Sequence, residues 1–253
     1  FNWVSQMTNA IITINALDKR YPGTDKKALD AASIEIQQGA FFGLLGPNGS
    51  GKTTLISILC GLLKADKGTA TICGYDALND AFKIKSKIGL VPQKLALYPT
   101  LTLSENLCLM SKLYGLTDSV YQKRLAQCLE IVELKDVANQ LISTYSGGMA
   151  RRANLAMALL HSPDILFLDE PTVNVDAHAR NMIFNTLKKI NASGVTIIYT
   201  THYLEEVETL CTDMAILNQG KIVIHDTVQH ILQKHPILNS LSEVYLALTE
   251  TDN

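Results

Sequence analysis

The sequence predicts an α/β fold: a mainly parallel sheet, an antiparallel β layer towards the N-terminal end, and an inserted block of helices. Three observations carry this. Short apolar runs at residues 41–45, 165–168 and 195–200 suit strands covered on both faces. Between the second and third, residues 177–190 have helical periodicity, which makes a β-α-β crossover and therefore parallel pairing. Residues 104–134 break that alternation, being helical by period and rich in Leu, Lys, Glu and Gln.

The elements follow in order. Residues 10–21 and 28–42 read as strands, with Ile12, Ile14 and Ala16 alternating in the first, Ile34 and Ile36 in the second, and turn residues Tyr-Pro-Gly-Thr-Asp between them. The run at 41–45 leads into a glycine-rich turn, after which Leu55, Ile56, Leu59, Leu62 and Leu63 would share one helical face. In the central block Ser104 and Asp118 are the expected N-caps. A helix is expected over 150–161. Residues 213–217 and 221–225 flank Asn-Gln-Gly, a hairpin signal, and the remainder to Leu248 reads as helix. Repeats and low-complexity segments are absent from the sequence.

A chain of 253 residues can bury a full core, and one domain over 1–253 is expected, with a core at about 10–92 and 160–225, helices at about 95–158 and a helical tail at 226–253. A net charge of −2 argues against a general electrostatic grip on nucleic acid, so no nucleic-acid partner is expected. No apolar run approaches the roughly 20 residues that span a bilayer. The five scattered cysteines form no CxxC pair and read as reduced thiols in a cytoplasmic protein. The first few residues and the polar tail 249–253, expected to fray, carry no weight.

Chemistry enters at residues 46–54, Gly-Pro-Asn-Gly-Ser-Gly-Lys-Thr-Thr. The pattern GxxxxGK[ST] is a P-loop, the core of an NTPase, where Gly46, Pro47, Asn48, Gly49, Ser50 and Gly51 curl the backbone so that successive N–H groups face a phosphate chain. Lys52 would reach the β- and γ-phosphates. Thr53 would place its hydroxyl on Mg²⁺, and Thr54 continues the helix whose N-terminus adds partial positive charge. At the end of the apolar run 165–168, Asp169 suits the Mg²⁺ shell and Glu170 is the expected general base that polarises the attacking water. This acid pair reads as a Walker B element.

Tyr145-Ser146-Gly147-Gly148-Met149 narrows the reading. With the P-loop and the acid pair, it resembles the signature of ATP-binding cassette (ABC) nucleotide-binding domains, LSGGQ in most members. The resemblance covers nearly the whole chain. It implies that Ser146, Gly147 and Gly148 cap an ATP held by a partner's P-loop, that Gln93 is the Q-loop glutamine contacting Mg²⁺ and the attacking water, and that Asp176 belongs to the D-loop. It likewise implies that His202 is the switch histidine at the γ-phosphate and that Tyr21 stacks on adenine. Met149 and Tyr145 depart from the usual glutamine and leucine but keep the glycine amides; Asn174-Val175-Asp176 departs from the commoner D-loop form and bears on coupling across the dimer.

The same resemblance implies an ATPase subunit that pairs head to tail with a second copy and sits peripherally on the cytoplasmic face of the membrane through a separate permease. The Thr-His-Tyr-Leu-Glu-Glu-Val-Glu run resembles subunits that energise export of drugs, ions, lipids or polysaccharides. Coupling helices are expected in a groove around residues 88–110, with Tyr98 and Leu101 exposed there. The alternative is a soluble ABC ATPase of an assembly system, such as iron-sulfur cluster assembly. A chromosome-type cassette would need a long coiled-coil insertion, for which the stretch between Lys52 and Asp169 leaves no room.

Overall fold

The structure, a computed structural model, describes residues 9–234 and 240–249. Among them are two sheets. The first is antiparallel, in the order β2-β1-β4-β5, from β1 (Ala10–Arg20), β2 (Lys27–Gln37), β4 (Lys67–Ile72) and β5 (Tyr75–Asp76). The second has the order β10-β9-β3-β8-β7-β6, from β3 (Phe41–Leu45), β6 (Ile88–Val91), β7 (Ile165–Asp169), β8 (Thr196–Thr201), β9 (Asp213–Asn218) and β10 (Lys221–Thr227). Its pairs are parallel except that of β10 with β9. The α/β fold with its antiparallel layer is thus observed.

The burial patterns explain the run lengths. Every residue of β3, β7 and β8 is buried, as continuous apolar strands covered on two faces must be. By contrast β10 alternates half-buried and exposed positions, as an edge strand does.

The helices are α1 (Lys52–Leu59), α2 (Ala81–Lys85), α3 (Leu103–Leu113), α4 (Asp118–Ile131), α5 (Gly147–Leu159), α6 (Ala177–Ala192), α7 (Leu204–Leu210), α8 (Val228–Lys234) and α9 (Leu241–Thr249). Between β6 and β7, α3 to α5 bury Leu107, Cys128 and Leu155 in the same core as Leu166, Leu168 and Tyr199 of the sheet. The helical insertion is welded to the sheet rather than tethered to it. On the other side, α1 and the antiparallel layer bury Ile58, Ile14 and Ile34 against Phe42 and Phe167.

Several local expectations are corrected. Residues 28–42 are two strands, because Gly39 (φ +79°) turns the chain and Ala40 N donates to Gln37 O at 3.2 Å. Helix α1 stops at Leu59 before Gly61 (φ +67°), so Leu62 lies beyond it and is 65% exposed. The cap of α3 is Thr102, not Ser104: Thr102 Oγ1 accepts from Glu105 N while Glu105 Oε2 accepts from Thr102 N, a reciprocal capping box. Asp118 is the first residue of α4 after the N-cap Thr117. The helix expected from residue 150 starts at Gly147. The expected C-terminal helix is two, with 235–239 outside the described residues, as are most of the tail 249–253 and the first eight residues. All five cysteines are free.

Candidate active site

Strand β3 runs directly into the glycine-rich turn, and the turn's shape demands glycine twice. A Cβ on Gly46 (φ +158°) would stand 2.2 Å from Leu217 O, and one on Gly51 (φ +112°) 2.3 Å from Ala28 O. Gly49 (φ +79°) faces open space instead, leaving its backbone free to be approached. Helix α1 starts at Lys52 with Gly51 as N-cap, no side-chain cap and no acid in its first turn. Its amide donors therefore have no side chain competing for them.

Lys52 is buried, and its Nζ donates to Gly46 O at 2.8 Å and Pro47 O at 3.1 Å. Burial pulls its ammonium below the usual lysine range, while Glu170 and Asp169 push the other way. A half-desolvated cation whose partners are weak carbonyl acceptors is well matched to a polyanion. Ser50 Oγ in the same turn is buried without a partner.

Asp169 ends β7 beneath this turn. Thr53 Oγ1 donates to its Oδ2 at 3.2 Å and Thr200 Oγ1 to its Oδ1 at 2.8 Å. At Glu170 the backbone passes into the left-handed region (φ +48°), with its N–H donating to Thr200 Oγ1 at 3.0 Å. Consecutive carboxylates are thereby aimed apart. The Glu170 side chain receives Gln93 Nε2 at 2.9 Å and has His202 Nδ1 at 3.4 Å.

A cavity of about 570 Å³ joins these groups; Tyr21, Asn48, Gly49, Gly51, Lys52, Thr53, Thr54, Gln93, Asp169 and Glu170 line it. That volume suits a nucleotide-sized ligand. Tyr21, 42% exposed, hydrogen-bonds through its hydroxyl to Thr54 Oγ1 at 3.2 Å. The free glycine backbone, the buried lysine and the Thr53 and Asp169 oxygens fit a nucleotide triphosphate with a divalent cation.

Eight expected site residues are not in that cavity's lining: Gly46, Pro47 and Ser50 of the same turn, His202 beside Glu170, and Ser146, Gly147, Gly148 and Asp176. Ser146 caps α5, its Oγ accepting from Met149 N at 3.3 Å. A Cβ on Gly148 would meet Ala179 Cβ of α6 at 2.5 Å, whereas Gly147 faces open space. Asp176 caps α6 by accepting from Ala179 N at 2.9 Å, which holds its carboxyl below the usual range.

Sequence reasoning missed Thr200, which fixes both Asp169 and the Glu170 amide, and Arg151, which reaches Gln93 O and Val173 O. Neither has a local signal: a threonine inside a β-branched strand and an arginine in a helix are unremarkable until the fold brings their partners in.

Residues 29–173 match the family described as ABC transporter. The chain belongs to that family. It is 48% identical over 198 residues to the linearmycin resistance ATP-binding protein LnrL of Bacillus subtilis, covering 78% of this chain and spanning 64% of that protein's length. To the Nod factor export ATP-binding protein I of Ralstonia nicotianae it is 37% identical over 235 residues, 93% of this chain and 72% of that one. Among solved structures, an ATP-binding subunit of an ABC transporter superposes with a TM-score of 0.83 at 27% identity, covering 94% of this chain and 99% of that one. A dimeric post-hydrolysis ATP-binding cassette with ADP and Pi gives 0.76 at 29% identity, over 86% and 98%. The chain thus has the ABC ATPase fold.

Proposed function

We propose that the chain is the MgATP-hydrolysing subunit of an exporter, working as half of a head-to-tail dimer beneath a separate membrane permease. The observation that carries the catalytic reading is the convergence of Gln93 and His202 on Glu170 beside the Lys52 cavity. Lys52 and the turn amides bind and orient the phosphates, Tyr21 faces adenine, and Glu170 takes a proton from the attacking water. Gln93 and His202 fix the Glu170 carboxylate, and His202 contacts the γ-phosphate. Thr53, Asp169 and Gln93 are the residues that would hold Mg²⁺, which when bound neutralises charge on the transferring phosphoryl group.

The dimer reading rests on α5. Ser146, Gly147 and Gly148 form a second helix N-terminus outside the chain's own cavity, so they complete the site of another copy, with Asp176 at the same junction. That a solved neighbour with ADP and Pi is dimeric supports pairing. Removal of the γ-phosphate would take away the shared anion and let the pair reopen.

For the permease, the support is an apolar groove of about 450 Å³ between core and helices, with Leu62, Phe82, Met110, Leu113 and Tyr114 in its wall. Phe82 is 90% exposed. Neither of the two residues expected at such a groove lines it: Tyr98 is exposed and Leu101 half-buried, both outside its wall. No described helix is long and apolar enough to cross a membrane. On the exporter reading the spanning segments belong to the permease and the chain sits on the cytoplasmic face. Relatives named for drug resistance and Nod factor export favour export over an assembly ATPase. On this reading 1–253 acts as one domain, with the boundaries given above.

Glu170→Gln tests the reading directly. It should retain ATP and accumulate an ATP-bound dimer in size-exclusion chromatography; normal turnover by that variant would reject the base assignment.

A further inference from the structure

One buried carboxylate in the fold takes no part in the chemistry above. Glu206, in α7, is 2% exposed, and its hydrogen-bond partners are three hydroxyl groups. Thr172 Oγ1 donates to its Oε1 at 2.7 Å, while Tyr199 OH and Thr201 Oγ1 donate to its Oε2 at 2.9 and 2.7 Å. Thr201 Oγ1 in turn accepts from Tyr203 N at 3.0 Å. Burying an acid without a cation is costly, so the three donors must be held firmly for the arrangement to persist.

Where those donors come from gives the carboxylate a purpose. Thr172 lies two residues after Glu170, and Thr201 immediately precedes His202. The parallel ladder between β7 and β8 ends with Asp169 opposite Thr200, so past that point backbone pairing no longer aligns the two segments. The Glu206 carboxylate ties them together there, between one segment carrying Glu170 and the other carrying His202. Only an acceptor-only group with several lone pairs can take all three hydroxyls at once.

We propose that Glu206 is a positioning residue that keeps Glu170 and His202 in register for hydrolysis, an inference that rests on the roles given to those two above. Glu206 is not in the lining of the Lys52 cavity. Its effect is on the 3.4 Å approach of His202 to Glu170, set from beneath.

The test is steady-state turnover and ATP affinity of the full chain carrying Glu206→Gln. Glutamine keeps the size and offers one oxygen and one donor, so about a tenfold fall in kcat with unchanged ATP Kd is expected, misplacement alone being able to reduce rates a hundredfold. Thr201→Val, which removes one hydroxyl and keeps the shape, should fall in the same direction by about threefold and covers the case in which the first variant does not fold. In a His202→Ala background Glu206→Gln should give no further loss. Unchanged kcat in Glu206→Gln, an equal fall in ATP affinity, or the same fold loss without His202 would overturn the proposal. Glu170→Gln run alongside separates the two levels: if it loses turnover while Glu206→Gln does not, only the positioning role is rejected. If it turns over normally, the catalytic reading beneath fails as well.

Discussion

Two helix N-termini in this chain are built from glycines, and they are finished differently. Helix α1 has no side-chain cap, opens into a cavity with a buried lysine, and is bounded by two carboxylates. Helix α5 caps itself with Ser146, lies outside that cavity, and presents Gly147 to open space. On the proposed reading the first is the larger part of a phosphate site, with charge, amides and acids delivered by one chain. The second supplies amides alone, and a helix terminus without a cation is a weak anion site. The difference teaches why pairing of two copies makes chemical sense: what one terminus lacks, the other chain's cavity holds.

The largest effect that would sharpen this contrast is at Glu170. Glu170→Gln should lower kcat by about a hundredfold to ten-thousandfold, the usual worth of a general base, while fluorescent-nucleotide titration shows retained affinity. Next is the lysine. Lys52→Ala should weaken ATP by about tenfold to a hundredfold through lost charge-assisted hydrogen bonds, whereas no single α5 substitution should do so to an isolated chain. Mixing Lys52→Ala with Ser146→Ala chains is a further check, because one mixed dimer then contains one intact composite site; recovery of part of the turnover is expected, and none would break the comparison.

The two α5 glycines should separate packing from binding. Gly148→Ala forces a methyl against Ala179 and should cost about 1–3 kcal/mol in denaturant unfolding. Gly147→Ala meets nothing within the chain, so stability should move by no more than about 0.5 kcal/mol while turnover falls, as its methyl occupies the side a phosphate approaches. Ser146→Ala should fall between the two in stability, at about 1 kcal/mol for a lost cap by thermal unfolding, with loss of cooperativity in the ATP dependence.

Much of this was legible beforehand because it is local. The P-loop pattern fixes its own backbone: Gly46 and Gly51 stand where any Cβ would strike Leu217 O or Ala28 O, and the residues before and after them show a strand and a helix by period. Strand and helix boundaries were less legible. Ser104 is the cap expected from the sequence, whereas Glu105 closes a capping box with Thr102, and Leu62 shares the apolar face by period although the helix ends at Leu59.

Sequence by itself determined the glycine-rich turn, its lysine and the strand-end acid pair, and their order, since these are properties of short segments. Only the tertiary structure decided how they meet. Gln93 and His202 reach Glu170 from two different strand ends, Thr200 holds Asp169 from a neighbouring strand, and Glu206 gathers hydroxyls from residues up to 34 positions away. Sheet order sets those contacts, and sheet order follows from how apolar strands bury both faces, which no single motif contains.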